Sequence, residues 1–240
     1  MSDWALVGHD GRRARAFALN GAALMHAAEG ADQTAALTAL GPVSGPTLRI
    51  GEGQPDVVPA PLLPATPRRG LAGLIQKTPP DVIDGWVRLQ LLGLTQDRPD
   101  WDGVACVLAG DIRHWVHLSA GEAVSCQSFL TPRLAATLGA MTAPDTDAVT
   151  DSLSRPERLA AHLRSAEVTG NTAALSGHLI GVELAAARPY WLGQNVAVIA
   201  PAGAGSDLAD ALERQGVPTQ LHDPESLLAP AFAALATWME

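Results

Sequence analysis

The sequence predicts an α/β protein made from a duplicated unit, on three observations. Trp4 to Ala28 and Val104 to Phe129 each spell three short strands joined by two tight turns. Each of these meanders is followed by sequence with helical character. The second half then alternates helix and strand, which favours a sheet with helices on its faces. In the first copy an apolar run, Trp4-Ala5-Leu6-Val7, leads to a turn at Gly8-His9-Asp10-Gly11, an alternating Ala14 to Leu19, a turn at Asn20-Gly21 and a third strand, Ala22 to Ala28. Asp-Gly and Asn-Gly are strong hairpin signals because these residues tolerate positive φ. The second copy runs Val104 to Ala109, turn Gly110-Asp111, Arg113 to Leu118, turn Ser119-Ala120-Gly121, and Glu122 to Ser128.

The remaining elements follow from periodicity and punctuation. Gln33 to Leu40 reads as a short helix that stops at Gly41-Pro42. The segment 41–69, rich in Pro and Gly, reads as irregular, with short extended pieces at Val57-Val58 and Leu62-Leu63. Pro80 to Leu94 has helical spacing, opened by Thr78-Pro79-Pro80-Asp81. Gln96-Asp97-Arg98-Pro99-Asp100 is the expected boundary, giving domains 1–96 and 97–240. Pro132 to Met141 and Pro156 to Ala166 read as helices separated by a polar stretch, Thr142 to Arg155. Ala173 to Arg188 is a longer helix of small and apolar residues. A buried strand (Asn195 to Ala200), a helix (Ser206 to Gln215), a strand (Thr219 to His222) and a last helix (Pro224 to Trp238) complete the chain.

Composition bounds the function. In 240 residues, 47% apolar content supplies a sizeable core. No apolar stretch approaches a membrane span, and Met1-Ser2-Asp3 lacks the basic and apolar regions of a signal peptide, so a cytoplasmic protein is expected. The net charge of −9 argues against nucleic acid as a partner. Of the 16 basic residues only Lys77 is a lysine, and no Gly-Lys-Ser/Thr phosphate loop is present. Cys106 and Cys126 fall in predicted strands without metal spacing and read as buried thiols. A homo-oligomer is compatible with the sequence.

Candidate chemistry gathers at turns. Pro201-Ala202-Gly203-Ala204-Gly205-Ser206 joins a strand to a helix, a geometry that exposes backbone N–H groups and can hold a phosphate or the edge of a nucleotide. Equally, Ser206 can serve as the helix cap and the glycines as a tight connection. Asp10 and Asp111 lie at the tips of the two first hairpins, placed either to meet a hydrated Mg²⁺ or simply to shape the turns. Arg12, Arg13 and Arg15 flank the first turn and suit either an anionic substrate or a charged strand edge. His114 and His117 fall on opposite strand faces, so no zinc site is expected. No Gly-x-Ser-x-Gly elbow is present.

The run Ser176-Gly177-His178-Leu179-Ile180-Gly181-Val182-Glu183, followed by Arg188, resembles the late helix of the 2-dehydro-3-deoxygalactonokinases, whose pattern is Ser-Gly-Leu-Leu-Ile-Gly-x-Glu and then Arg. Trp4 to Phe17 resembles the opening strand and hairpin of that family. Asp81-Val82-Ile83 and Gln90-Leu91-Leu92-Gly93 resemble the surroundings of its Arg-Gly-Glu-Glu motif, and Gly110 with Trp115-Val116 its Gly-Thr-His-Ser-Lys-Trp-Val segment. The resemblance covers most of the chain, which is shortened chiefly before Leu94 and after Met141. It implies the duplicated actin-like, ribonuclease H-like fold of sugar kinases, with two domains around a cleft. It further implies ATP and Mg²⁺ as cofactors and a 2-keto-3-deoxy sugar acid as substrate. By the same resemblance, Gly110, Gly203, Gly205 and Ser206 are expected near the nucleotide, Arg15 near the substrate, and Asp10 or Asp111 as a relocated catalytic carboxylate; no metal ligand is assigned.

The motifs depart from the family at chemical positions. Its Asp-Trp-Gly-Thr-Thr-Asn-Leu-Arg becomes Gly8-His9-Asp10-Gly11-Arg12-Arg13-Ala14-Arg15, so its Asp is Gly8. Arg-Gly-Glu-Glu becomes Asp84-Gly85-Trp86-Val87-Arg88, Thr-His-Ser-Lys becomes Asp111-Ile112-Arg113-His114, and Thr-Gly-Glu becomes Thr131-Pro132-Arg133. Two functions therefore stand side by side: ATP-dependent phosphorylation of a sugar acid, or a catalytically inactive relative acting as a sugar-acid sensor or protein-interaction scaffold.

Overall fold

The computed structural model describes residues 3–96, 98 and 100–239; Asp97 and Pro99 of the expected boundary, and Met1 and Ser2 of the N-terminal reading, lie outside the described residues. In chain order the first elements are β1 (Asp3–His9), β2 (Ala14–Asn20), β3 (Ala23–Gly30) and α1 (Gln33–Leu40). There follow β4 (Thr47–Ile50), β5 (Asp56–Val57), β6 (Ala60–Pro61), β7 (Gly70–Leu71), β8 (Leu74–Gln76), β9 (Asp81–Ile83) and α2 (Gly85–Thr95). The second meander is β10 (Gly103–Ala109), β11 (Ile112–Ser119) and β12 (Glu122–Phe129). Then come α3 (Thr131–Thr137), α4 (Thr146–Ser154), α5 (Leu159–Val168), α6 (Thr172–Ala186), α7 (Arg188–Trp191), β13 (Val196–Ile199), α8 (Ser206–Glu213), β14 (Thr219–His222) and α9 (Leu228–Met239).

Several segments differ from the sequence reading, among them the stretch read as irregular, which contains Thr47–Ile50 as a strand parallel to β1. The expected helix from Pro80 begins only at Gly85, because Asp81–Ile83 pairs with Leu74–Gln76 as a strand and Asp84 is the true N-cap, its carboxylate accepting from the Val87 N–H at 2.9 Å. The polar stretch 142–155 contains α4, whose N-cap Asp145 accepts from the Asp147 and Ala148 N–H groups. Its apolar residues Ala148, Val149 and Leu153 lie on one buried face, a sparse pattern that the surrounding Thr and Asp residues conceal.

The chain divides into two units: Met1–Asp102 with His117–Cys126 and Asp223–Glu240, and Gly103–Val116 with Gln127–His222. In the first, the sheet order is β3-β2-β1-β4-β7, with β1 antiparallel to β2 and parallel to β4. Small side chains (Ala5, Val7, Ala14, Ala16, Ala18) let α1 lie close on one face. On another side Phe17 stacks with Trp86 of α2 (6.3 Å between centroids) and meets Phe232 of α9 at a tilt (5.1 Å). The C-terminal helix thus belongs to the unit that the N-terminus begins, because it completes an aromatic cluster there. In the second unit β10, β13 and β14 are parallel, and α4, α6 and α8 enclose a core that includes Cys106, Trp115, Leu184 and Val198. Both cysteines are buried free thiols, and burial pushes Cys126 up to about 12, which leaves it inert at neutral pH.

Arg88 of α2 holds the irregular segment 56–73 in place. Its side chain is fully buried, and the guanidinium donates to the carbonyls of Pro61, Leu62 and Ala72 and to the Asp56 carboxylate, at 2.8–2.9 Å. A planar fork of five donors meets these separated acceptors as an ammonium would not. Burial pushes the Asp56 carboxyl up, but the hydrogen bonds and charges of Arg88 and Arg68 outweigh it, and the net shift is downward. Arg88→Met is expected to cost about 3–5 kcal/mol by leaving three buried carbonyls unpaired and the Asp56 carboxylate with Arg68 alone, with Arg88→Lys recovering little; urea midpoints at constant slope measure both. Because the Asp56 value is lowered in the folded state, its contribution is complete above the unfolded value of about 3.9 and is lost as pH falls through the native one. The stability difference between wild type and Asp56→Asn should therefore be present at pH 7 and fade below about pH 4.

Candidate ligand pocket and the two hairpins

The second unit contains a cavity of about 440 Å³. Its walls are mainly apolar: Pro132 and Ala135 from α3, Leu179 and Ile180 from α6, and Leu108 and Leu208. Buried hydroxyls of Thr131 and Ser176 add hydrogen-bonding capacity. Gly203 and Ala204 of the glycine-rich turn line it, and Gly203 takes φ +81°, which a Cβ would strain. Gly205 and Ser206 are not among its lining residues; a Cβ at Gly205 would instead meet Ala200, Val198 and Leu221 side chains. The charged groups of the lining are Arg113 and Asp207.

Arg113 is held from behind. It donates to Glu183 Oε2 at 2.9 Å, while the indole N–H of Trp115 donates to Glu183 Oε1 at 2.9 Å. Glu183 is 1% exposed, so both carboxylate oxygens are buried and partnered. Burial opposes the Arg113 charge, but Glu183 more than offsets it and the guanidinium stays protonated. Asp207, in the first turn of α8, has its carboxyl raised, first by burial and second by neighbouring Asp210, against the pull of Arg113.

The Gly-x-x-x-Gly spacing before Glu183 is explained by packing. A Cβ on Gly177 would lie 2.4 Å from the Asp145 carbonyl oxygen, and one on Gly181 2.4 Å from that of Val149. These glycines let α6 approach α4 closely, and that approach sets Glu183 beneath Arg113.

In the first unit, the hairpin after β1 is closed by Asp10, whose Oδ1 accepts from the Arg12 and Arg13 N–H groups at 2.8 and 2.9 Å. Arg15 forms a two-pronged contact with Glu225, at 2.5 and 2.9 Å, and its guanidinium lies 5.1 Å from the Phe17 ring centroid and 5.6 Å from that of Trp86. Gly8 leaves no room for a larger residue: a Cβ there would fall 2.7 Å from Ile50 Cβ and 3.0 Å from the Trp86 ring. A neighbouring cavity of about 450 Å³ is lined by His9, Gln33, Glu52, Asp84 and Trp86, two carboxylates and no Arg or Lys. In the second unit, Gly110 turns the equivalent hairpin with φ +60°, and Asp111 takes both Arg133 Nε (2.6 Å) and Nη2 (2.9 Å). Arg133 lowers the Asp111 carboxyl through this hydrogen bond. Among the described residues no group of three His, Cys, Asp or Glu is arranged to hold a metal ion, and no helix is long and apolar enough to cross a membrane.

The sequence reading named the turn residues and missed what lies behind them. Arg113, Glu183 and Asp207 are brought together across 70 residues and more, and no local pattern announces such a pairing. Thr131 and Ser176 stand in quoted motifs, but only the fold shows that both line one cavity.

A three-strand meander joined by further parallel strands and covering helices, present in each half of the chain, defines the actin-like ATPase and sugar-kinase fold. Within that class the chain belongs to the 2-keto-3-deoxy-galactonokinase family, whose model matches residues 60–235. A candidate 2-dehydro-3-deoxygalactonokinase from Sinorhizobium meliloti has a similar structure, with a TM-score of 0.80 and 22% identity over 98% of this chain and 99% of that one. Component A of (R)-2-hydroxyglutaryl-CoA dehydratase from Acidaminococcus fermentans shares the fold, with a TM-score of 0.52 and 11% identity over 99% of this chain and 97% of that one. No curated protein matches.

Glu183→Gln should lower stability by about 3–5 kcal/mol, since it leaves the Arg113 cation buried without its counter-ion. The double replacement Arg113→Met with Glu183→Leu should cost clearly less than Glu183→Gln alone, because no charge is then stranded; chemical denaturation of the three proteins measures the order.

Proposed function

We propose that this chain is a ligand-binding member of the kinase family that does not transfer phosphate, a pseudokinase whose output is a bound state. The observation that supports this most is the closure of Gly8. The resemblance places the opening Asp of the family at this position, and Ile50 and Trp86 now fill the space its side chain would need. Trp86 itself stands in the stretch that corresponds to the Arg-Gly-Glu-Glu motif. Loss of the first carboxylate and loss of the acid motif are thus one coupled repacking, in which an indole occupies the ground of both.

The other candidate groups have structural partners. Asp10 caps its own turn, Asp111 is neutralised by Arg133, and Arg15 is paired with Glu225. A hydrated Mg²⁺ does not fit this donor set, because each candidate carboxylate would first have to leave a hydrogen-bonded partner. Phosphoryl transfer depends on positioning and charge stabilisation about the phosphates, and a general base alone accounts for about 10²–10⁴ in rate. The family match favours the other reading, ATP-dependent phosphorylation of a 2-keto-3-deoxy sugar acid with Asp10 or Asp111 as the relocated carboxylate.

One assay separates the two. With a panel of 2-keto-3-deoxy sugar acids and Mg²⁺-ATP, ADP release is expected to stay at background; turnover that disappears in Asp10→Asn or Asp111→Asn would establish the kinase. Thermal shift with each sugar acid alone then separates a sensor, which a ligand stabilises, from a scaffold, which it does not. Gly8→Asp is expected to lose about 1–3 kcal/mol through overpacking against Ile50 and Trp86 and to gain no activity.

A further inference from the structure

Three helices of the second unit meet at a pair of histidines. His162 of α5 and His178 of α6 lie ring over ring, with 4.5 Å between centroids and 32° between planes. The Nδ1 atoms of both reach one hydroxyl, that of the fully buried Ser152 on α4, at 3.4 Å from His162 and 2.9 Å from His178. Nε2 of His162 meets Asp151 Oδ2 at 3.2 Å. Counting protons assigns the roles. Three contacts need three hydrogens, and two neutral imidazoles with one hydroxyl supply them. His162 Nε2–H donates to Asp151, the Ser152 hydroxyl donates to His162 Nδ1, and His178 Nδ1–H donates to the Ser152 oxygen. One further proton breaks the chain. On His162 Nδ1 it sets two N–H groups against a single oxygen and takes the acceptor from the hydroxyl; on His178 Nε2 it places a cation in a buried site, stacked on a second histidine.

The surroundings favour the neutral pair. Burial first and His162 second push His178 below the ordinary histidine value, against Asp151, the Ala148 carbonyl and Asp145, all of α4. Asp151 is shared with Arg155 at 3.7 Å, and Asp147 of the same helix is exposed. On α5, Arg164 is paired with Glu167. α6 also packs on α3, α7 and the single turn Pro156–Arg158. Arg133 of α3 is engaged with Asp111, Glu183 of α6 itself with Arg113, and Glu157, Arg158 and Arg188 are exposed.

We propose that His162 and His178 form a pH-sensitive latch, which holds α4 and α5 on α6 through Ser152 and Asp151 when both rings are neutral and opens when the pair takes up a proton. The close approach of α4 and α6 allowed by Gly177 and Gly181 is what brings Ser152 within reach of His178. The family pattern has Leu where this chain has His178, so the latch is no part of the motif that surrounds it. The sign follows from the depressed value of His178: its contribution is complete above the unfolded value of about 6.5 and is lost as pH falls through the native one.

Amide hydrogen exchange of the full chain, read by mass spectrometry at about pH 7.5 and about pH 5 and corrected for the intrinsic rate, tests the latch. Protection in α4, α5 and α6 is expected to fall about 10-fold at the lower pH, while that in β1 to β3 changes by less than about 2-fold. His178→Leu removes the buried ring, and His162→Gln, at a partly exposed position, gives a second variant where the first fails to fold. Each should abolish most of the pH-dependent difference, with a circular dichroism melt at the higher pH checking that the fold is intact. Unchanged protection of the three helices in the wild type, a loss shared equally by β1 to β3, or the full loss persisting in folded variants overturns the proposal.

Discussion

The first unit depends on the fully buried guanidinium of Arg88. A segment of short strands and prolines between Asp56 and Gly73 has too little regular pairing to satisfy its own carbonyls, and a buried carbonyl without a partner is costly. Arg88 supplies several donors from one rigid plane and ties that segment to α2. The position of α2 then follows, and with it the position of Trp86, two residues earlier. One polar contact thus places the indole that fills the space beside Gly8.

α2 therefore has a structural task along its first turn. Its first turn presents Asp84 as a cap, Trp86 as a core residue and Arg88 as a fork for carbonyls. Each replacement is consistent with the others: the ring needs a glycine opposite it, the Pro-rich segment needs the guanidinium, and the helix needs its cap. Changing one of them disturbs a packed neighbourhood, since a Cβ at Gly8 would meet Ile50 and Trp86.

In the second unit the same logic preserved a family motif. Gly177 and Gly181 let α4 sit against α6, and Glu183 at the end of the motif anchors Arg113 and Trp115. None of these residues needs to touch a substrate to be required. Glu183 matches the Arg113 charge from behind and fixes its guanidinium in the cavity wall.

The repeated meander, the α1 boundaries at Gln33 and Leu40 and the strand Thr219 to His222 were legible in the sequence, because hairpin turns, alternation and capping are local. Family membership was legible as well, since a motif such as Ser176 to Glu183 persists where packing demands small residues at fixed spacing. Helix α4 escaped because its apolar face is thin, and the start of α2 because a three-residue strand occupies what helical spacing had claimed. What the sequence determined by itself was the duplicated α/β frame and the family. Only the tertiary structure decided the long-range pairings: Trp86 against Gly8, Arg88 beneath the Pro-rich segment, Glu183 behind Arg113. These pairings join residues far apart in the chain through shape and charge in a buried environment, and no short stretch of sequence carries that information.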